Sequence, residues 1–291
     1  MGRYAAIDIG TNAARLLIGE VVENDGYSYV KKLGYTRVPL RLGMEVFTDG
    51  IITQPKTEEF IKSMKAFQLI TEVYKVDKLR ACATSAMREA SNGKEVQQKI
   101  LNETGLNIEI IDGAEEAEII FSTFKLLAID KKTPYMVVDV GGGSTEISVF
   151  KDGEKQAGMS FSIGTIRLLK EKVEEERWRE MKKWIKQNVD RKRNFKVFAT
   201  GGNINKVHKV LGYSIIEPIN VERLKNFYDE LNTLTVDQRM NRFALKPDRA
   251  DVIVPACHIY CTVSEWIKAK EIFVPKIGLS DGMIYHMHLN S

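Results

Sequence analysis

The stretch that decides the fold is Asp139-Val140-Gly141-Gly142-Gly143-Ser144-Thr145, near the middle of the 291-residue chain. A shorter version, Asp8-Ile9-Gly10-Thr11-Asn12, lies near the start. Each copy follows a short apolar run and leads into a second one, which predicts a strand, a tight polar turn and another strand. Glycines let the backbone approach a ligand closely and turn its N–H groups toward an anion. The repeat therefore predicts two facing hairpins that clamp a chain of phosphate groups.

An ordinary hairpin turn is the alternative for either loop taken singly, because Gly, Asn and Asp are common turn residues. Two copies at the heads of two halves of similar length favour a functional role. A third glycine pair, Gly201-Gly202, lies between a strand-like run, Val197–Thr200, and a helix-like run, Ile204–Leu211. A strand, a glycine turn and a helix start together form a typical phosphate-binding context.

The composition, 44% hydrophobic and 28% charged, is typical of a soluble globular protein. No apolar stretch approaches the ~18 residues that span a membrane, and no signal-peptide core follows the first residues. Three cysteines provide no disulfide framework, so we expect a cytoplasmic protein. The net charge of +4 suits an anionic substrate without indicating nucleic acid. The basic run at 191–196 is interpreted as a solvated loop, with a patch that guides polyanions as the alternative.

Each half opens with three strand-like runs, followed by alternating helices and strands. This order predicts an α/β protein with two related lobes and a ligand-binding cleft between them. The polar segment Lys131–Pro134 marks the predicted boundary, giving domains 1–130 and 131–291. The last residues of the second domain are expected to pack back on the first lobe. The opening strands are predicted at Tyr4–Ile9, Arg15–Val22 and Tyr27–Leu33, and at Tyr135–Val140, Glu146–Lys151 and Glu154–Ser162.

The longer helices follow from apolar spacing. We predict them at Thr57–Val73, Ser91–Thr104, Ala114–Ala128, Leu168–Val189 and Val252–Ile267. The aromatic stripe of Leu168–Val189 is expected to pack on its own sheet, with a second subunit of a homodimer as the alternative partner. Cys257, His258 and Cys261 lie within the most apolar helix, which favours a buried core helix over a zinc site.

These motifs resemble the exopolyphosphatase/guanosine pentaphosphate phosphatase (Ppx/GppA) family, within the superfamily of actin, sugar kinases and the Hsp70 ATPase. The resemblance covers nearly the whole chain. Besides the two loops and Gly201-Gly202, it rests on Ala83–Ala90, Gly113-Ala114-Glu115-Glu116-Ala117, Ser162–Leu168, Arg249-Ala250-Asp251-Val252-Ile253 and Gly278–Gly282.

The resemblance implies hydrolysis of the terminal phosphate of inorganic polyphosphate, or of the 5′ γ-phosphate of pppGpp, with Mg²⁺. Glu116 matches the family's general base, and a carboxylate can orient and deprotonate the attacking water. Acidic residues favoured by the positive end of a helix are the alternative for Glu115 and Glu116. Arg88 matches an arginine near the substrate phosphates, where its fork suits non-bridging oxygens.

The remaining site residues divide into metal ligands and phosphate donors. Asp139 is the first candidate for Mg²⁺, because hard oxygen donors suit this ion, with Asp8 and Glu146 as further candidates. A cross-strand surface pair is the alternative for Glu146. The phosphate donors are predicted to be Gly10, Thr11, Asn12, Arg15, Gly141, Gly142, Gly143, Ser144, Thr145, Gly201 and Gly202.

Some positions depart from the family pattern. Ala13, Ala14 and Arg15 replace a Ser, an aromatic residue and a His, while Asn203 replaces a Thr and Ser280-Asp281-Gly282 replaces an Arg-Glu-Gly sequence. Two other functions use nearly the same residues. One is a non-catalytic sensor that binds polyphosphate or a guanosine alarmone, and the other is an ATP-using kinase or ATPase of the same superfamily.

Overall fold

The computed structural model describes residues 2–24, 27–124, 132–190 and 195–290, which belong to two compact units. One unit is Met1–Ile129 with Ile277–Ser291, and the other is Asp130–Lys276. The end of the helix predicted at Ala114–Ala128 and most of the basic run at 191–196 lie outside the described residues. Within the described residues, no helix has both the length and the apolar character needed to cross a membrane.

The first unit contains a five-stranded mixed sheet in the order β3-β2-β1-β4-β5. Strands β1 and β2 are antiparallel, as are β2 and β3, whereas β4 and β5 continue the sheet in parallel from β1. Its elements are β1 (Arg3–Ile9), β2 (Ala14–Asn24), β3 (Tyr27–Val38), α1 (Gly43–Asp49), α2 (Gln54–Val73), β4 (Lys78–Ala83), α3 (Ser85–Glu89), α4 (Gly93–Thr104), β5 (Ile108–Ile110) and α5 (Gly113–Phe124).

The second unit contains a six-stranded sheet in the order β10-β11-β9-β6-β7-β8. Its elements are β6 (Tyr135–Val140), β7 (Thr145–Lys151), β8 (Glu154–Phe161), α6 (Thr165–Leu169), α7 (Glu175–Asn188), β9 (Lys196–Thr200), α8 (Gly202–Val210), β10 (Ile219–Asn220), α9 (Val221–Asn232), α10 (Val236–Phe243), α11 (Pro247–Ala250), α12 (Ile253–Ile267) and β11 (Glu271–Phe273). A last helix, α13 (Leu279–Leu289), belongs to the first unit.

The two sheets repeat one plan. Strands β6 and β7 are antiparallel, as are β7 and β8, while β9 and β11 continue in parallel from β6. This is the arrangement of β1 to β5, with the short β10 added at the edge of the second sheet. The predicted α/β fold with two related lobes is confirmed in this respect.

The central strands explain why both opening segments are apolar. From Tyr4 to Ile9 every residue of β1 is buried, and in β6 only Asp139 is not fully buried. A strand flanked by neighbours and covered on both faces is uniformly apolar instead of alternating. Each polar loop therefore directly follows a buried central strand, which supports it rigidly.

The single helix predicted at Leu168–Val189 is wrong, because the chain forms α6 and α7 with a turn between them. Glu171 adopts a left-handed conformation with φ of 55°, and the N–H of Lys172 bonds back to the carbonyl of Arg167. This conformation and this bond end α6 after one turn. Apolar spacing continued through the turn, which is why the sequence indicated one helix.

Helix α4 begins without a side-chain capping bond. Asn92 is the cap residue, but its side chain makes no capping bond and instead binds the backbone N–H and carbonyl of Ile52. The short helices α1 and α3 were not predicted, since neither is long enough to show periodicity.

Helix α13 packs closely on α5 in the first unit. A methyl group added at Gly282 would lie 2.1 Å from the carbonyl oxygen of Ile119 on α5. Asp281 is 6% exposed and forms an ion pair with Lys32 at 2.8 Å, while its carboxylate also accepts from the N–H of Gly278. Burial raises the pKa of Asp281, and Lys32 opposes that shift. The side chain thus ties the start of α13 to β3.

We expect Gly282→Ala to lower the free energy of unfolding by ~1–3 kcal/mol, because the new methyl group must push α13 away from α5. Urea denaturation measures the change. Gly278→Ala is the matched control, since a methyl group there has no atom within 4 Å. Equal stability of the two variants would contradict the close packing at Gly282.

Candidate phosphate-binding site

The loop between β1 and β2 is a four-residue hairpin connection, Gly10-Thr11-Asn12-Ala13. It is closed by a bond from the N–H of Gly10 to the carbonyl of Ala13, at 3.1 Å. The carbonyls of Thr11 and Asn12 accept from the N–H groups of Gly43 and Arg41, at 3.0 and 3.1 Å. Across a planar trans peptide the C=O and the next N–H point in opposite directions. The N–H groups of Asn12 and Ala13 therefore point away from the segment that holds the loop.

The loop between β6 and β7, Gly141-Gly142-Gly143-Ser144, has the same construction. The N–H of Gly141 bonds to the carbonyl of Ser144 at 2.9 Å. The carbonyls of Gly141 and Gly142 accept from the N–H groups of Thr165 and Ile166 in α6, at 3.0 and 2.8 Å. By the same peptide geometry, the N–H groups of Gly142 and Gly143 point away from α6. Adjacent N–H groups turned to one side form an anion-binding concavity.

The hydroxyl groups of Thr11, in the first loop, and Thr145, directly after the second loop, make different hydrogen bonds. Thr11 Oγ1 and Ser85 Oγ, at the start of α3, are hydrogen-bonded at 2.7 Å. Thr145 Oγ1 donates to the carbonyl of Ile163 at 2.6 Å, so its proton supports the loop from behind. Asn12 and Ser144 are buried within their loops. That any of these side chains binds phosphate stays a prediction.

Asp8 and Arg15 face each other across β1 and β2 and form an ion pair. Asp8 is buried, and Arg15 Nη1 lies 3.7 Å from the position of a methyl group added at Gly10. The guanidinium is therefore held beside the first loop by its pairing with Asp8. This arrangement favours the phosphate role predicted for Arg15 and disfavours Asp8 as a metal ligand, because its charge is already balanced.

Asp139 and Glu146 are directly opposite each other on β6 and β7, with carboxylate oxygens within 4.8 Å. Thr200 Oγ1 donates to Asp139 Oδ1 at 2.5 Å, and Ser160 Oγ donates to Glu146 Oε1 at 2.7 Å. Glu146 is only 3% exposed, so the surface-pair interpretation is wrong. Two carboxylates this close repel each other, and a hard divalent cation would relieve that repulsion. The pair could hold such an ion.

Gly201 connects β9 to α8 in a conformation that requires glycine. Its φ is 111°, and a methyl group there would lie 2.8 Å from the carbonyl oxygen of Val140 and 3.5 Å from Asp139 Oδ1. Tyr260 donates from its hydroxyl to the carbonyl of Thr200 at 2.5 Å. Burial raises the pKa of Tyr260 well above its usual value, so the phenol keeps the proton that it donates. The turn at Gly201 is thereby held close to Asp139, which lies opposite Glu146.

Arg249 adds a positive charge at the start of α8. Its Nη1 donates to Asn203 Oδ1 at 2.7 Å, and its Nη2 would lie 2.5 Å from a methyl group at Gly202. A helix N-terminus already carries partial positive charge, so a cation beside it favours an anionic ligand. Asn203 thus holds Arg249 beside the glycine turn.

Helix α5, which carries Glu115 and Glu116, begins at a capped turn in the first unit. Asp112 Oδ1 accepts from the N–H groups of Ala114 and Glu115, both at 2.8 Å, and these bonds lower the pKa of Asp112. Arg88 Nη1 donates to the carbonyl of Ile111 at 2.7 Å, just before this turn. The arginine and the start of α5 are therefore held together.

The structure separates the two glutamates of α5. Glu115 forms an ion pair with Arg80 at 3.2 Å, and its side chain is 47% exposed. Glu116 is half-buried. The carboxylate of Glu115 is thus directed toward β4 at the surface, which leaves Glu116 as the better candidate for the catalytic base.

The cysteine-rich helix is part of the core, as predicted. Cys257 and Cys261 are buried on α12 within the hydrophobic cluster of the second unit, and His258 Nδ1 lies 3.3 Å from the hydroxyl of Tyr228. Burial raises the pKa of Cys261 to about 12 and that of Cys257 well above its usual value. Among the described residues, the acidic, His and Cys side chains placed to hold a metal ion together do not include Cys257, His258 or Cys261.

Sequence reasoning missed the residues that support the two loops, the two acidic side chains and the turn at Gly201. They are Arg41, Gly43, Ser85, Ser160, Arg167, Thr200 and Tyr260. One signal was present, since Thr200 ends a buried apolar strand directly before two glycines. The backbone donors carry no such signal, because any residue except proline supplies an N–H group.

Residues 21–291 match the Ppx/GppA phosphatase family. The chain belongs to this family. It is 28% identical over 275 residues to a bifunctional 3-dehydroquinate synthase/phosphatase of Fusobacterium nucleatum, covering 86% of this chain and 41% of that protein. It is also 28% identical over 169 residues to exopolyphosphatase 1 of Mycobacterium tuberculosis, covering 58% and 48%. The alignments thus span about half or less of these curated relatives.

Two solved structures share the fold across nearly the whole chain. An exopolyphosphatase from Cytophaga hutchinsonii superposes with a TM-score of 0.83 at 24% identity, covering 99% of this chain and 98% of the other. The Aquifex aeolicus member of the Ppx/GppA family gives 0.76, also at 24% identity, with the same coverage. These likenesses, with the repeated sheet order, confirm the predicted α/β fold class with two related units.

We expect all three thiols to be unreactive in the folded Ppx/GppA chain, because burial raises the pKa of Cys82 and Cys261 to about 12 and that of Cys257 well above its usual value. A thiol reagent at pH 8 should label no cysteine quickly in the native protein and all three in denaturant. Fast labelling of the native protein would contradict the burial of α12 or β4.

Proposed function

We propose that this chain is a phosphatase that removes the terminal phosphate of inorganic polyphosphate, with pppGpp as a second substrate class. The observation that carries the proposal is the pair of equivalent hairpin loops, at Gly10–Ala13 and Gly141–Ser144. In each loop the carbonyls are held from behind, so that consecutive N–H groups point to the opposite side. Such fixed donors stabilise charge on phosphoryl oxygens without reorganising during the reaction.

In the proposed reaction Glu116 acts as the general base. Its carboxylate orients a water for in-line attack on the terminal phosphorus and accepts the proton as the new P–O bond forms. The bond to the bridging oxygen breaks, which leaves orthophosphate and a chain shortened by one phosphate. Glu115 takes no part, because it is paired with Arg80 at the surface.

The loop N–H groups, Arg15 and Arg88 are proposed to stabilise the negative charge on the transferring phosphoryl group. Arg88 is held by the carbonyl of Ile111, and Arg15 by Asp8, so both guanidinium groups have defined positions. Asp139 and Glu146 are the residues that would hold Mg²⁺. When bound, the ion would neutralise negative charge on phosphate oxygens. A fork-shaped guanidinium is well matched to two non-bridging oxygens.

We expect Glu116→Gln to lower orthophosphate release from medium-chain polyphosphate by ~10²-fold or more, since the amide cannot accept a proton. Glu115→Gln is the matched control on the neighbouring residue and should retain activity within a few-fold. Phosphate release with Mg²⁺ measures both variants, with pppGpp tested in parallel. Equal, small losses would contradict the assignment of Glu116. Binding of polyphosphate without release by the native chain would favour the sensor alternative.

We expect Asp139→Asn to raise the Mg²⁺ concentration needed for half-maximal activity by about 10-fold or more, because one charged ligand is lost. Asp152→Asn is the control, since this aspartate lies exposed in the turn between β7 and β8. The measurement is the rate of phosphate release as a function of Mg²⁺ concentration. An unchanged Mg²⁺ dependence in Asp139→Asn would exclude this aspartate as a ligand.

A further inference from the structure

One carbonyl of the glycine loop is held by a side chain. Gly141 and Gly142 accept from backbone N–H groups of α6, but the carbonyl of Gly143 accepts from Arg167 Nε at 2.8 Å. The first loop differs at the corresponding position. There the carbonyl of Asn12 accepts from the backbone N–H of Arg41.

This bond fixes one particular peptide. The C=O of Gly143 and the N–H of Ser144 belong to the same planar unit and point in opposite directions. With the carbonyl turned toward Arg167, the N–H of Ser144 points to the same side as those of Gly142 and Gly143. Three consecutive N–H donors then face the same direction in this loop, whereas the first loop has two such donors.

Arg167 is itself firmly placed. Its own N–H donates to the carbonyl of Gly142 at 3.2 Å, beside the bond from Ile166 at 2.8 Å. A methyl group at Gly164, just before α6, would lie 2.4 Å from the carbonyl oxygen of Gly142. The backbone of α6 therefore lies directly against the loop, and the half-buried guanidinium reaches the last carbonyl from a fixed base.

We propose that Arg167 is a positioning residue that turns the Gly143–Ser144 peptide, so that the N–H of Ser144 becomes the third phosphate donor of the loop. The inference rests on the proposed function and names one donor within that site. A glycine on one side of a peptide permits both of its orientations, so an external bond is needed to select one.

The test combines amide NMR with kinetics on Arg167→Met, which keeps an unbranched side chain as far as the position of Nε and removes all of its donors. Titration of the native chain with inorganic phosphate should shift the amide signals of Gly142, Gly143 and Ser144. In Arg167→Met the shift of Ser144 should be lost, with those of Gly142 and the first loop retained. We expect kcat/KM for polyphosphate to fall about 10-fold to 100-fold, the range for losing one charge-assisted hydrogen bond.

Two further variants complete the experiment. Arg179→Met, on an exposed position of α7, should leave kcat/KM and all loop shifts unchanged. Arg167→Lys, whose ammonium can also donate to a carbonyl, should restore part of both the Ser144 shift and the rate. If Arg167→Met does not fold, Arg167→Lys is compared with the native chain by the same two measurements, and its Ser144 shift and rate should lie below native values.

The outcomes separate the inference from the proposed function. The inference would be overturned if Arg167→Met keeps both the Ser144 shift and the native kcat/KM. If Arg167→Met does not fold, native values of both measurements in Arg167→Lys would overturn it. Equal loss of every loop shift would also overturn it, because Arg167 would then support phosphate binding in general. Loss of the Ser144 shift alone in Arg167→Met would support the inference. If the native chain at the same time releases no phosphate from polyphosphate or pppGpp, the proposed function is refuted.

Discussion

The structure depends on one constraint, the planarity of the peptide group. Because a carbonyl and the following N–H point in opposite directions, a loop can be oriented by binding its carbonyls alone. Both units use this device. Gly43 and Arg41 bind the carbonyls of the first loop, and α6 binds those of the second. The direction of the N–H groups in each loop is thus set by residues on the opposite side of that loop.

The carboxylates beside the loops follow a related rule, since Asp8, Asp139 and Glu146 each have a partner that fixes the direction of the side chain. Asp8 is paired with Arg15, Asp139 accepts from Thr200, and Glu146 accepts from Ser160. Buried charges without such partners would be costly. The close approach of Asp139 to Glu146 is therefore the exception that needs a counter-charge, and this is why the pair is the best candidate for a cation.

Much of this could be predicted from sequence. The two loops, the three strands that open each half and the glycine turn at Gly201 all follow from local apolar runs and glycines, which report backbone geometry directly. The break between α6 and α7 could not be predicted, because Glu171 takes a left-handed conformation without glycine's help. The same holds for Arg167 and Tyr260. Their partners are backbone carbonyls of distant segments, and a carbonyl has no residue-specific signature.

The position of α13 has a consequence for the order in which the chain acquires structure. This helix covers α5 and β1 of the first unit, yet in sequence it follows the whole second unit. Synthesis runs from the N-terminus. The first sheet therefore lacks the apolar contacts of α13 until the chain has been made as far as Leu289. The close packing at Gly282 can form only then, so we infer that the helix bearing Glu116 reaches its final environment late in folding.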